Sequence, residues 1–154
     1  MKAATVNEIR KELQHQDTDV LKDICLRLIK YKKENKELVT YLLYESHNEA
    51  AYIESIKEEM KEEFKTIKAQ VNAYFIKKTL RKILRWLNRQ VRYSGNPETE
   101  IELRSEFCAL MKSAKIPMYA GTVLLNIHLQ QVKKINSLLA KLPEDKQGDY
   151  QVPV

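Results

Sequence analysis

Apolar residues recur every three or four positions along most of the chain, and the polar breaks between these runs divide it into helices. The first starts at Thr5, because Thr5-Val-Asn-Glu8 is a capping box in which hydroxyl and carboxylate each satisfy an orphan backbone donor. Val6, Ile9 and Leu13 then form one stripe. After the polar break at 15–19, Val20, Leu21, Ile24, Cys25 and Leu28 have the spacing of a core face, in a helix that runs into the Tyr31 region. Asn35 is the predicted cap of a third helix, whose Leu38, Val39, Tyr41, Leu42, Leu43 and Tyr44 are apolar nearly all round. A helix of that kind normally has neighbours on several sides, so the segment is expected at the centre of the fold.

From Asn48 to Tyr93 the chain runs 46 residues with neither Gly nor Pro, longer than an ordinary helix. The stripe Ile53, Ile56, Met60, Phe64, Ile67, Val71 loses phase near Asn72–Phe75, where Ile76, Leu80, Ile83, Leu84, Leu87 and Val91 take over. The run is either one long coiled-coil-like rod or two helices joined by a tight link, and the loss of phase favours a break near 70–75. Ser94-Gly-Asn-Pro97 is the sharpest boundary: Gly95 ends one helix, Asn96 caps the next and Pro97 takes its first position. That helix runs to about Lys112. A last one from Thr122 carries Leu124, Leu125, His128, Val132, Ile135, Leu139 and Leu142 up to Pro143.

Composition removes the alternatives. With 3 Gly and 4 Pro in 154 residues, the chain holds far less than the roughly 12% of average usage that supplies tight turns. The predicted fold class is all-α: a single domain over 1–142 with six or seven helices, arranged as an antiparallel bundle or a helical-hairpin stack. Residues 143–154 lack periodicity and are expected to be disordered or loosely attached. No apolar run approaches the roughly 18 residues that span a bilayer, and the N-terminus lacks the apolar core of a signal peptide. No membrane association is expected, and Cys25 and Cys108, 83 positions apart, are expected as buried reduced thiols in a cytoplasmic protein.

Catalytic chemistry finds little support in the pattern. The three glycines stand alone at 95, 121 and 148, so no phosphate cradle can be built from them. Glu12 and His15 give one copy of the Glu-x-x-His spacing of carboxylate-bridged metals in helical bundles, where two are needed. Glu45-Ser-His47-Asn-Glu49 groups acid, hydroxyl and imidazole, but neighbours one or two apart on a helix do not face each other, and the group reads as a helix junction. The expectation is no catalytic residue, metal, cofactor or small-molecule substrate. His128 falls in an apolar stripe as a core histidine. Arg104 falls among Ile101, Phe107, Cys108 and Met111, away from the acidic face of Glu102 and Glu106. A guanidinium there is either ion-paired or an anion anchor.

Charge carries the remaining signal, beginning with a formal net charge of +6. Glu45–Glu63 holds seven carboxylates and two lysines, whereas Phe64–Pro97 holds nine basic residues and no acid. At 100° per residue, Lys78, Lys82, Arg85, Arg89 and Arg92 share the face opposite the Ile76–Val91 stripe, with Trp86 and Tyr93 at its border. Such a face can bind nucleic-acid phosphates and stack a base, or receive an acidic protein partner. If 48–70 and 75–93 form an antiparallel hairpin, however, Glu58, Glu59, Glu62 and Glu63 come near Arg81, Lys82 and Arg85 and neutralise it from within. The functional expectation is a non-enzymatic interaction or scaffold module that binds a protein partner or forms a homodimer. Nucleic-acid binding through the basic face is the alternative.

The stretch KKENKELVTYLLYES (Lys32–Ser46), with the opening TVNEIRKEL (Thr5–Leu13), resembles all-helical bacterial proteins that have no assigned activity. TVNEIRKEL also resembles the first helix of small helix-extension-helix nucleic-acid modules. The first likeness covers the N-terminal half, implies an all-helical fold and brings no catalytic motif.

Overall fold

The computed structural model describes residues 1–68 and 72–152. Among these, every regular element is helical: α1 (Val6–Gln14), α2 (Thr18–Tyr31), α3 (Lys33–Thr40), a π-helical turn (Tyr41–Glu45), α4 (Glu49–Lys68), α5 (Ala73–Ser94), α6 (Pro97–Ser113), α7 (Val123–Leu139) and α8 (Glu144–Gln147). The all-α class holds, with eight α-helices among the described residues rather than six or seven. The chain also forms two compact units, Met1–Leu43 and Tyr44–Val154, where one domain was expected.

In the first unit α2 and α3 pack on each other. The capping box at Thr5 forms as its spacing predicts: Glu8 N–H donates to Thr5 Oγ1 at 3.3 Å and Thr5 N–H donates to Glu8 Oε2 at 2.7 Å. Asn35 caps a different helix from the one expected. Lys32 is extended and precedes α3, which starts at Lys33, while Asn35 Nδ2 donates to the Leu28 carbonyl at 2.8 Å and so closes the end of α2. The larger departure is burial. Helices α1, α2 and α3 bury no side chain. Of the segment expected at the centre of the fold, Tyr41 is buried but Leu42, Leu43 and Tyr44 are 55%, 65% and 67% exposed. Apolar character all round a helix demands neighbours, and in this segment Tyr41 alone is buried, with Val39 half-buried.

The second unit has an ordinary dry core. Helix α6 packs against α4, α5 and α7, so its Ile101, Leu103, Phe107, Cys108 and Met111 are fully covered. Met60, Phe64, Leu80, Ile83, Leu87 and Ile135 reach the same interior from the neighbouring helices. Phe64 meets Phe107 edge to face at 5.4 Å and 74°, a geometry that sets a positive ring edge on a negative ring face. Helices α4 and α5 form the antiparallel hairpin. Tyr52 Oη donates to Gln90 and Lys82 pairs with Glu63 at 3.0 Å, so the later residue of α4 meets the earlier one of α5, as antiparallel helices require. The expected break near 70–75 falls partly on residues outside those described; α4 runs to Lys68, and Asn72 caps α5 by accepting from Tyr74 N–H at 2.8 Å. At the α5–α6 corner Gly95 is left-handed, with φ of 65°, and Asn96 accepts from Glu98 N–H at 2.9 Å, as predicted. Glu49 pins that corner to the start of α4 by accepting from Ser94 Oγ and from Thr99 Oγ1, the latter at 2.6 Å.

The segment after Pro143, expected to be loose, is tied down as far as Tyr150. Lys146 pairs with Glu98 at 2.5 Å, Tyr150 Oη donates to Glu98 at 3.2 Å, and the Tyr150 ring packs on the Ile101–Cys108–Ile135–Leu139 cluster. Burial and the Glu98 carboxylate push the Tyr150 phenol up to about 12. One carboxylate and one aromatic ring provide these contacts, and neither has a periodic signature.

Candidate interaction site

The basic face of α5 exists because its apolar stripe is committed elsewhere: Ile76, Leu80, Ile83, Leu87 and Val91 are buried. At helical spacing this turns Lys78, Lys82, Arg85 and Arg92 outward, with Arg89 half-buried. The α4–α5 hairpin lays the acidic stretch of α4 alongside. A groove of about 490 Å³ has Glu59, Glu62 and Glu63 on one wall and Lys82, Arg85, Trp86 and Arg89 on the other. Three carboxylates and three cations thus line one groove, and the Lys82–Glu63 pair crosses it. The half-buried Trp86 belongs to this groove.

The predicted site residues are thus divided. Lys82, Arg85, Trp86 and Arg89 come together. Lys78 is outside the groove, Arg92 lines a different cavity, and Tyr93 is half-buried at the end of α5. Lys82 is paired with Glu63, whereas Lys78, Arg85 and Arg92 have no side-chain partner among the described residues. Other acids of α4 are also engaged: Lys61 holds Glu58 at 2.8 Å and Lys65 holds Glu62 at 2.5 Å. The hydrogen bond and charge of Lys61 keep the Glu58 carboxyl below its ordinary value.

Arg104 is buried, 3% exposed, and ion-paired. Its Nε donates to Glu100 Oε1 at 2.7 Å, Nη1 to Gln131 Oε1 at 2.8 Å and Nη2 to Asn88 Oδ1 at 3.0 Å, joining α5, α6 and α7. Glu100 is legible as the i−4 partner on the same helix. Asn88 and Gln131 carry no such mark, since a polar residue within a helix says nothing of what it will face.

The remaining reactive side chains lie apart from this site. Asn48 caps α4 by accepting from Ala51 N–H at 3.1 Å, so the Glu45–Glu49 group is a helix junction, with His47 exposed. His128 is buried with no partner on Nε2, and burial, then the charge of Lys112, holds its imidazole below the ordinary value. Of the two thiols expected to be buried only Cys108 is; Cys25 lies exposed on α2, whose side chains nothing in the first unit fully covers. Burial pushes the Cys108 thiol up to about 11, against smaller opposing effects of Lys112 and Arg104. Among the described residues no three His, Cys, Asp or Glu side chains are grouped to hold a metal ion, and no helix is long and apolar enough to cross a membrane.

The first unit presents a surface of another kind. Val6, Ile9 and Leu13 of α1 are 72%, 47% and 38% exposed, and Val20, Ile24 and Leu28 of α2 are exposed as well. These are the residues whose spacing marks them as core-facing. Comparison with family models, with curated proteins and with solved structures finds no match for the chain.

Proposed function

We propose that the chain is a non-enzymatic helical interaction module whose first unit binds a protein partner or a second copy of itself through its apolar faces. One observation carries this reading: the stripes of α1 and α2, with Leu42 and Leu43, are built as core faces and remain exposed. Contiguous exposed apolar surface on a soluble chain marks interaction sites, and amphipathic helices are a common form of such a site. The two unpaired cysteines suit a reducing compartment, and we place the module in the cytoplasm. The test is sedimentation equilibrium, joined to crosslinking and mass spectrometry in cell extract, on the wild type and on Leu42→Glu/Leu43→Glu. Mass above the monomer, or crosslinks to another protein, should map to residues 6–44 and vanish in the variant. Association that maps elsewhere, or survives the variant, would refute the reading.

Nucleic-acid binding through α5 is the second reading, favoured by Lys78, Arg85 and Arg92, which have no side-chain partner among the described residues. With Lys82 held by Glu63, three phosphate contacts give a slope of log affinity against log salt of about −2 to −3. An anisotropy titration at low salt decides it, with Arg85→Glu/Arg89→Glu as the variant that should abolish binding.

A further inference from the structure

Two adjoining cavities of about 520 and 480 Å³ open where α5, α6 and α7 meet, and Glu100, Arg104 and Lys134 line both. Arg92 adds a third cation to one and Lys133 to the other, so four cations surround a single carboxylate. Glu100 is spent on Arg104, at 2.6 Å from Nη2. Arg92, Lys133 and Lys134 have no side-chain partner among the described residues. The positive surplus is therefore local and uncompensated, unlike that of the α4–α5 groove.

Three features make this concavity more than a charged surface. Arg104 is immobilised by three helices' worth of partners, and its Nη1 uses one N–H on Gln131 and keeps the other without an acceptor among the described residues. A fixed guanidinium meets an oxyanion without first losing side-chain freedom. Gly95 and Pro97 line the first cavity, so the positive end of the α6 dipole also opens onto it. Burial and then the Arg104 charge press the Lys134 amine below its ordinary value, with Glu100 opposing.

We infer that this pocket, centred on Arg104 and flanked by Arg92, Lys133 and Lys134, binds a small multivalent phosphate. Planar guanidinium and ammonium groups converging from several helices match the spread oxygens of phosphate better than a single carboxylate. No aromatic side chain lines either cavity, so nothing there stacks a base. The ligand class is accordingly a polyphosphate or a phosphorylated sugar rather than a nucleic-acid strand. The site uses residues distinct from the first unit's apolar faces, so the two proposals stand or fall separately.

Isothermal titration calorimetry on the full chain at constant ionic strength tests it, with pyrophosphate and ribose 5-phosphate as separate probes. Saturable one-to-one binding of either is expected; tighter pyrophosphate points to a polyphosphate, and tighter ribose 5-phosphate to a sugar phosphate. Lys134→Gln and Arg92→Gln, both at exposed positions, should each weaken it by about tenfold or more, the worth of one charge-assisted hydrogen bond. Lys78→Gln/Arg85→Gln, on the α5 face outside the pocket, should leave it unchanged. Absence of saturable heat at millimolar concentrations of both probes overturns the inference. So does equal weakening by Lys78→Gln/Arg85→Gln, which would show diffuse attraction to a basic protein.

Discussion

Replacing Arg104 by Met tests the polar joint at the centre of the second unit. The substitution keeps length and apolar volume but removes every donor that Glu100, Gln131 and Asn88 now share. Gln131 is 2% exposed, so its orphaned carbonyl oxygen cannot reach water, which costs about 1–3 kcal/mol. Glu100, with its side chain 26% exposed, is left as a half-buried unpaired carboxylate, and breaking a buried pair by removing one partner costs about 3–5 kcal/mol in all. Asn88 is half-buried and turns to solvent at smaller cost. Arg104→Met should therefore destabilise by about 3–5 kcal/mol. Arg104→Met/Gln131→Leu should recover about 1–3 kcal/mol of that, because the second change removes the stranded acceptor. Urea unfolding followed by circular dichroism measures both, with equal m-values as the check that the transition is the same. A single variant losing less than about 1 kcal/mol, below the worth of one stranded group, would refute this account. A double variant no more stable than the single would refute it equally.

Two further outcomes concern single buried groups. Cys25 is exposed and Cys108 buried, so a disulfide reagent should label one thiol of the native protein promptly and the second only as urea unfolds it; two equally fast thiols would contradict the packing of α6. For His128, burial and Lys112 hold the folded value below 6.5, so the unfolded chain takes up the proton first on acidification. The contribution is whole above about pH 6.5 and is lost as pH falls through the folded value. Denaturation series from pH 7.5 to 5.5 should show stability falling in the wild type and a flatter profile in His128→Leu, whereas stability that rises on acidification would reverse the sign.

What was legible in the sequence is local. The capping box at Thr5 and the Gly95-Asn96-Pro97 corner are each written within three or four residues, and the structure has both, whereas the Asn72 cap went unread. The hairpin was legible one level up only as a condition: loss of stripe phase favoured a break, and if the two halves paired antiparallel the Glu58–Glu63 acids would come near Arg81, Lys82 and Arg85, as the Lys82–Glu63 pair now does. Contacts set by single residues across distant helices left no trace: Gln131 and Asn88 on Arg104, or Lys146 and Tyr150 on Glu98. The segment at 38–44 failed for a different reason. Periodicity registers that a surface is built to be covered, and it does so without naming the molecule that covers it. Tyr41 is covered by this chain while Leu42, Leu43 and Tyr44 stand exposed beside it, so the apolar signal that is covered in the core of the second unit is left open at these positions. That distinction needs three dimensions, because the spacing of an apolar stripe is the same whether the fold buries it or leaves it in solvent.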